Sequence, residues 1–194
     1  RATAQQSRLL SRWPQPANGG DALRVDCVDA FQHGPHRVFA FGVQQQACAR
    51  PHTGVIDLDR IGHYDPADFW EPVTARRGRI ILDPGAFYIL VSREAVTIPP
   101  DHAAEMSPYL AMVGEFRVHY AGFFDPGFGH GAAGMGARGV LEVRCHEAPF
   151  ALEHGQVVGR LIYERMQSAP ERLYGTGIAS NYQGQGLKLA KQFR

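Results

Sequence analysis

The stretch Arg79-Ile80-Ile81-Leu82-Asp83-Pro84-Gly85-Ala86-Phe87-Tyr88-Ile89-Leu90-Val91 decides the fold class of this chain. Two runs rich in β-branched and aromatic side chains flank Asp-Pro-Gly. In that tripeptide proline presets φ, and glycine accepts a left-handed backbone at no steric cost. The reading is strand, turn, strand. The same texture continues on both sides, with strands expected at 22–28, 37–43, 95–98, 116–121, 139–145, 150–152 and 157–165. Residues 33–36, His-Gly-Pro-His, turn between the first two of these. Residues 44–78 read as irregular, broken by Pro51, Pro66 and Pro72, with an aromatic spot at Phe69 and Trp70. Short helices are expected only at 5–13 and at 101–113, the latter limited by Pro108. Closely spaced strands with few helices indicate a mainly β domain, a sandwich or a barrel.

With 194 residues the chain is long enough for one domain with a real core. Residues 1–20 end in a Pro/Gly cluster and read as an N-terminal segment or linker, so the domain runs over 21–194. A formal net charge of +1 produces no large field, which argues against nucleic acid or an anionic membrane as the partner. No apolar run approaches the length that spans a bilayer. Cys27, Cys48 and Cys145 are odd in number and far apart, and they spell no disulfide framework, as fits a reducing cytoplasm. The chain opens on Arg1 with no signal-like stretch behind it, which is compatible with a segment upstream.

Several chemistries lack their signatures. There is no GxxxxGK[ST], and no GxGxxG opens a helix after a strand. HExxH is missing, as is the pairing of HxE with PCxxC by which zinc deaminases activate water, so no metal-binding residues are assigned and zinc is not expected. GxSxG is missing too, which leaves a hydrolase triad without an anchor. Two segments remain suggestive. Tyr182-Gln183-Gly184-Gln185-Gly186-Leu187-Lys188 gathers amide donors, backbone N–H groups and a cation, and both lysines of the chain, Lys188 and Lys191, fall in its last seven residues. Val140-Leu141-Glu142-Val143-Arg144-Cys145 alternates, which sends Leu141, Val143 and Cys145 to the core and Val140, Glu142 and Arg144 to the other face.

Taken in order, Val25-Asp26-Cys27-Val28, the run His119-Tyr120-Ala121-Gly122-Phe123-Phe124-Asp125-Pro126-Gly127-Phe128, Val140-Leu141-Glu142-Val143, and Asn181-Tyr182-Gln183-Gly184-Gln185-Gly186 resemble the dCTP deaminase branch of the dUTPase superfamily. The likeness covers most of the chain from about residue 21, and it is nearest to the C-terminal repeat of the long, two-repeat bacterial form. The resemblance implies a dUTPase-like distorted jelly-roll (β-clip) that assembles as a trimer or pseudo-trimer, with sites between subunits. It implies hydrolytic deamination of dCTP to dUTP and ammonia without zinc, Mg²⁺ entering with the triphosphate. Glu142 would activate the attacking water and relay protons to the leaving amine, which asks for a carboxyl whose pKa rises in a largely dry pocket. Ala121, Asp125, Gly127, Tyr174, Gln185 and Lys188 would bind substrate, and a tail at about 174–194 would close over the phosphates.

One departure from the family pattern stands out. Where the family has Gly-Arg-Ser-Ser and a further Arg, this chain has Met106-Ser107-Pro108-Tyr109 and Met112, and the family's tail lysine falls on Asn181. A triphosphate needs Arg or Lys forks or amide nests to offset its desolvation. The alternatives to an enzyme with a composite site are therefore a structural or nucleotide-sensing repeat whose own site has decayed, and a dUTPase-like pyrophosphatase.

Overall fold

The computed structural model describes residues 24–25, 36–108, 116–119, 122–130, 136–175 and 187–194; of 24–25, 36–45, 108 and 116–119 it describes the backbone alone. Eleven strands and one short helix make up the regular structure of these residues. They are β1 (Arg24–Val25), β2 (His36–Ala49), α1 (Pro66–Phe69), β3 (Trp70–Pro72), β4 (Arg79–Leu82), β5 (Phe87–Val96), β6 (His102–Pro108), β7 (Phe116–His119), β8 (Phe123–Phe124), β9 (Ala137–Cys145), β10 (Phe150–Glu153) and β11 (Val157–Arg165). The protein is mainly β, as the strand-turn-strand reading requires.

Hydrogen bonding runs along the path β7-β9-β5-β2-β11-β6-β8, with β1 added parallel to β5 and β3 antiparallel to β2. The two strands of the deciding stretch both form, yet they do not pair with each other. The turn at Asp83-Pro84-Gly85 closes with the Ala86 N–H donating to the Asp83 carbonyl at 3.3 Å, and Gly85 has φ +75°. It sends β4 to a separate two-stranded sheet with β10, while β5 inserts between β2 and β9. The strand expected at 95–98 is the end of β5, which passes through a register shift between Val91 and Ala95 and stops at Val96, so Thr97 and Ile98 lie beyond it. The core lies where these sheets face each other, centred on Leu82, Leu90, Ile98, Leu141, Leu152 and Leu161.

Two expectations are corrected. Residues 102–108 form a strand and not the start of a helix. His102, Ala104 and Met106 are buried while Glu105 is exposed, a period of two, and the strand pairs with β11 from His102 opposite Arg165 to Pro108 opposite Gly159. Ala, Glu and Met favour helix by only a few tenths of a kcal/mol per residue, and a seven-residue ladder outweighs that. Likewise 44–78 is not wholly irregular, because β2 continues through Ala49 and α1 and β3 follow. The helix α1 starts where Asp65 caps it by accepting from the Ala67 N–H, with Pro66 inside the first turn. The helix expected at 5–13, the linker before residue 21 and most of the strand at 22–28 lie outside the described residues.

Candidate active site

The faces of β9 are those that alternation dictates. Leu141, Val143 and Cys145 are at most 1% exposed, whereas Glu142 and Arg144 face outward. Glu142 stands opposite Ile89 on β5, and His119 on β7 occupies the position across its other edge. The strand is thus fixed from behind by the core and from both sides by ladders, so the Glu142 carboxylate is carried on rigid backbone.

A cavity of about 370 Å³ opens on this face. Its floor comes from β9 and β5, with Val140, Glu142, Phe87 and Ile89, and Trp70 of β3 stands beside Phe87 with ring centres 6.0 Å apart. A second wall comes from the segment 123–128 and from Tyr174. Asp125-Pro126-Gly127-Phe128 closes as a turn, with the Phe128 N–H donating to the Asp125 carbonyl at 3.1 Å. The turn is stitched to residue 98 through the Ile98 N–H to the Phe128 carbonyl and the Gly127 N–H to the Ile98 carbonyl. Gly127 has φ +93°, and a Cβ there would sit 3.1 Å from the Leu173 Cβ and 3.2 Å from the Tyr174 nitrogen. Only glycine lets 173–174 approach so closely. That approach seats the Tyr174 ring 5.5 Å from Phe128, which in turn meets Phe124 edge-on at 5.1 Å.

The third wall is the C-terminal segment, through Lys188, Leu189, Ala190 and Phe193. Its last residues are held by the loop before α1. The Gly62 N–H donates to the Lys191 carbonyl, those of His63 and Tyr64 to the Gln192 carbonyl, and that of Arg194 to the Tyr64 carbonyl. Gln192 is buried and its side-chain amide donates to the Leu58 carbonyl at 2.8 Å. Phe193 packs edge-on against Phe69 at 5.6 Å.

Two carboxylates, Glu142 and Asp125, and one ammonium, Lys188, are the charged groups among the described lining residues. Arg144 lies beyond the lining, its guanidinium 4.9 Å from the centre of the Phe87 ring. The indole N–H of Trp70 is buried with no hydrogen-bond partner among the described residues, which is costly for a strong donor. Glu142 itself is exposed in the single chain, so the dry surroundings expected of it would have to come from whatever covers the cavity.

Of the residues singled out from the sequence, Glu142, Asp125, Tyr174 and Lys188 come together around one cavity. Gly127 is near it but acts behind the wall, on the placement of Tyr174. Ala121 and Gln185 lie outside the described residues. Trp70, Phe87 and Phe193 were not singled out as site residues, and only the aromatic spot at Phe69 and Trp70 signalled them. Met106, at the first position of the departing Met-Ser-Pro-Tyr stretch, is 5% exposed and also lines the cavity.

Residues 2–193 match the family described as 2'-deoxycytidine 5'-triphosphate deaminase (DCD), C-terminal domain. A relative from Beutenbergia cavernae, described as dCTP deaminase, dUMP-forming, is 36% identical over 149 residues, covering 75% of this chain and 69% of that one. A protein of the same description from Pseudarthrobacter chlorophenolicus is 33% identical over 140 residues, covering 68% and 70%. The solved 2'-deoxycytidine 5'-triphosphate deaminase from Agrobacterium tumefaciens superimposes with a TM-score of 0.66 at 56% identity over 73% of this chain. The match spans 44% of that longer chain, less than half of it. The outward Glu142, the Asp125-Pro126-Gly127 turn and these likenesses agree, and this chain belongs to the dCTP deaminase family, matching its C-terminal domain.

Proposed function

We propose that this domain deaminates the cytosine of a deoxycytidine nucleotide, with Glu142 as the acid–base group. The observation that carries the reading is a carboxylate on a rigid strand facing an aromatic-walled cavity that also holds Asp125, Tyr174 and Lys188. Glu142 takes a proton from water as the oxygen attacks C4 of the ring. It passes that proton to N3, whose double bond to C4 opens. It then takes the proton of the new C4 hydroxyl and delivers it to the amino group, so that the C4–amino bond breaks to leave a carbonyl, an N3–H and ammonia. Trp70, Phe87 and Phe128 supply faces against which a flat ring rests. Mg²⁺ would arrive on the phosphate oxygens of the substrate, since Mg²⁺ commonly binds through substrate phosphates with few protein ligands. Zinc has no role in this scheme. The domain works in the cytoplasm as a trimer or pseudo-trimer in which a neighbour covers the cavity. Sedimentation showing only monomer at micromolar concentration would count against that assembly.

Glu142→Gln keeps the shape and hydrogen-bonding capacity of the side chain but cannot carry the proton. It is expected to lower ammonia release by about 10²–10⁴ while nucleotide binding stays within a few-fold. Undiminished turnover in that variant would leave the domain as scaffold or nucleotide sensor. A second reading is favoured by Asp125, the other carboxylate on the cavity, and by the description of two relatives as dUMP-forming. In it a second water attacks the α-phosphate after deamination, so that pyrophosphate leaves and the product is dUMP rather than the dUTP expected from the sequence. Chromatography of the reaction separates dUTP from dUMP directly.

A further inference from the structure

The two cross-strand neighbours of Glu142 are unlike. On β5 it meets Ile89, which is buried and offers no polar group. On β7 it meets His119. The β7–β9 register sets Phe116 opposite Cys145, Arg117 opposite Arg144, Val118 opposite Val143 and His119 opposite Glu142. Directly opposed residues share a face of the sheet. Val143 and Cys145 are buried, so the rungs of Phe116 and Val118 belong to the core face and those of Arg117 and His119 to the outward one. The sequence Phe116-Arg117-Val118-His119 alternates in the same phase, apolar on the core rungs and polar on the outward ones.

The two outward rungs differ in character. One sets two arginines together, and Arg144 keeps its guanidinium 4.9 Å from the centre of the Phe87 ring, on the β5 side of β9. The other sets a histidine against the carboxylate of the cavity floor. Opposed residues have Cβ atoms about 4.5–5.5 Å apart, a range in which one charge moves the titration of another. Among the described residues, the other ionisable positions around Glu142 are Arg144 two places along β9, Arg117 diagonal to it on β7, and Asp125, Tyr174 and Lys188 on the remaining walls.

We propose, on the deaminase reading above, that His119 is the positioning residue of Glu142: the two titrate as one pair, and the carboxylate is free to act as a base only once the histidine is neutral. A carboxylate raises the pKa of a neighbouring imidazole, and the imidazolium in turn lowers that of the carboxylate and weakens it as a base. The pair gives up its second proton near neutral pH, where histidine titrates. Deamination then has an acid limb set by His119, well above the value of about 4.3 at which a lone glutamate would set it.

The test is NMR titration of the 194-residue chain with labelled imidazole and carboxyl groups, the His119 signal being assigned by its loss in His119→Gln. Glu142→Gln is expected to lower the pKa of His119 by about 1 unit. His119→Gln is expected to raise that of Glu142 by the same amount, because a pairwise coupling is reciprocal. In ammonia release, His119→Gln should move the acid limb of the pH profile down by at least about 1 unit and keep the plateau within about fivefold. A histidine that only supports the strand would move neither titration.

Shifts below about 0.3 unit in both variants, each with native circular dichroism, would overturn the proposal and leave the deaminase reading intact. So would an acid limb that stays in place in His119→Gln. Reciprocal shifts together with undiminished ammonia release in Glu142→Gln would leave the coupled pair standing and fail the deaminase reading on which its role rests.

Discussion

Gln192→Ala probes whether the C-terminal segment is a fixed wall of the cavity, and the structure allows its effect to be worked out. Four main-chain hydrogen bonds join Lys191–Arg194 to Gly62–Tyr64, the Gln192 amide adds one to Leu58, and the exposed Arg194 guanidinium adds one to the His63 carbonyl. At about 1 kcal/mol net for each bond, with about 2 kcal/mol for packing Phe193 against Phe69 and Tyr64, the docking gains about 8 kcal/mol. Ordering four residues costs about 4–8 kcal/mol. The balance is close to zero, so the wall is held by a small margin. Removing one buried amide hydrogen bond costs about 1–2 kcal/mol, enough to make undocking about 5–30-fold more frequent. Native-state hydrogen exchange reads this directly. The amides of Gly62, His63 and Tyr64 should exchange faster by that factor, while those of Leu90 and Leu141 in the core stay protected. Unchanged exchange at 62–64 would refute the reasoning, because it would mean that the segment is held by something other than these contacts.

Leu141→Ala empties a site that is 1% exposed directly behind Glu142, and urea unfolding should show a loss of about 2–5 kcal/mol. Gly129→Ala drives a Cβ into the Val96 carbonyl oxygen at φ +71°, a conflict with rigid backbone that should cost more than about 2 kcal/mol in the same assay. Burial pushes the Tyr88 hydroxyl up to about 12. Because the folded state then holds its proton where the unfolded state has lost it, stability should fall as pH rises from about 10 towards 12, and Tyr88→Phe should flatten that decline in thermal melts.

How much of the fold was legible depended on where each strand's partner lies. β9 and β11 announce themselves because alternation is local: one face of Leu141, Val143 and Cys145 specifies both a strand and its orientation. β6 does not, since Ala103-Ala104-Glu105-Met106 satisfies a helix as well as a strand until β11 is paired alongside it about fifty residues later in the chain. The end of β2 was hidden for a different reason. Gln44-Gln45-Gln46 reads as a polar loop, yet Gln46 is 3% exposed with its carbonyl accepting from the Val73 N–H, so a strand interior is built from a residue that composition assigns to the surface.

The candidate site divides along the same line. The outward direction of Glu142 follows from its neighbours in the strand, and the turn that carries Asp125 follows from proline before glycine. Neither fact brings the two carboxylates to one cavity; that takes the stitching of residues 127 and 128 to Ile98 and the β5–β9 ladder, which are long-range. The wall of Trp70 and Phe193 was the least legible part, because more than a hundred residues separate its members and the C-terminal residues read as a loose tail. Their anchoring at 58–64 matters for chemistry. It delivers Lys188 to a cavity that, among the described residues, is lined by rings, aliphatic side chains and two carboxylates, so the position of this ammonium depends on a docking held by a small margin. A ligand that favours the docked segment therefore gains a wall and a cation together, and one that does not gains neither.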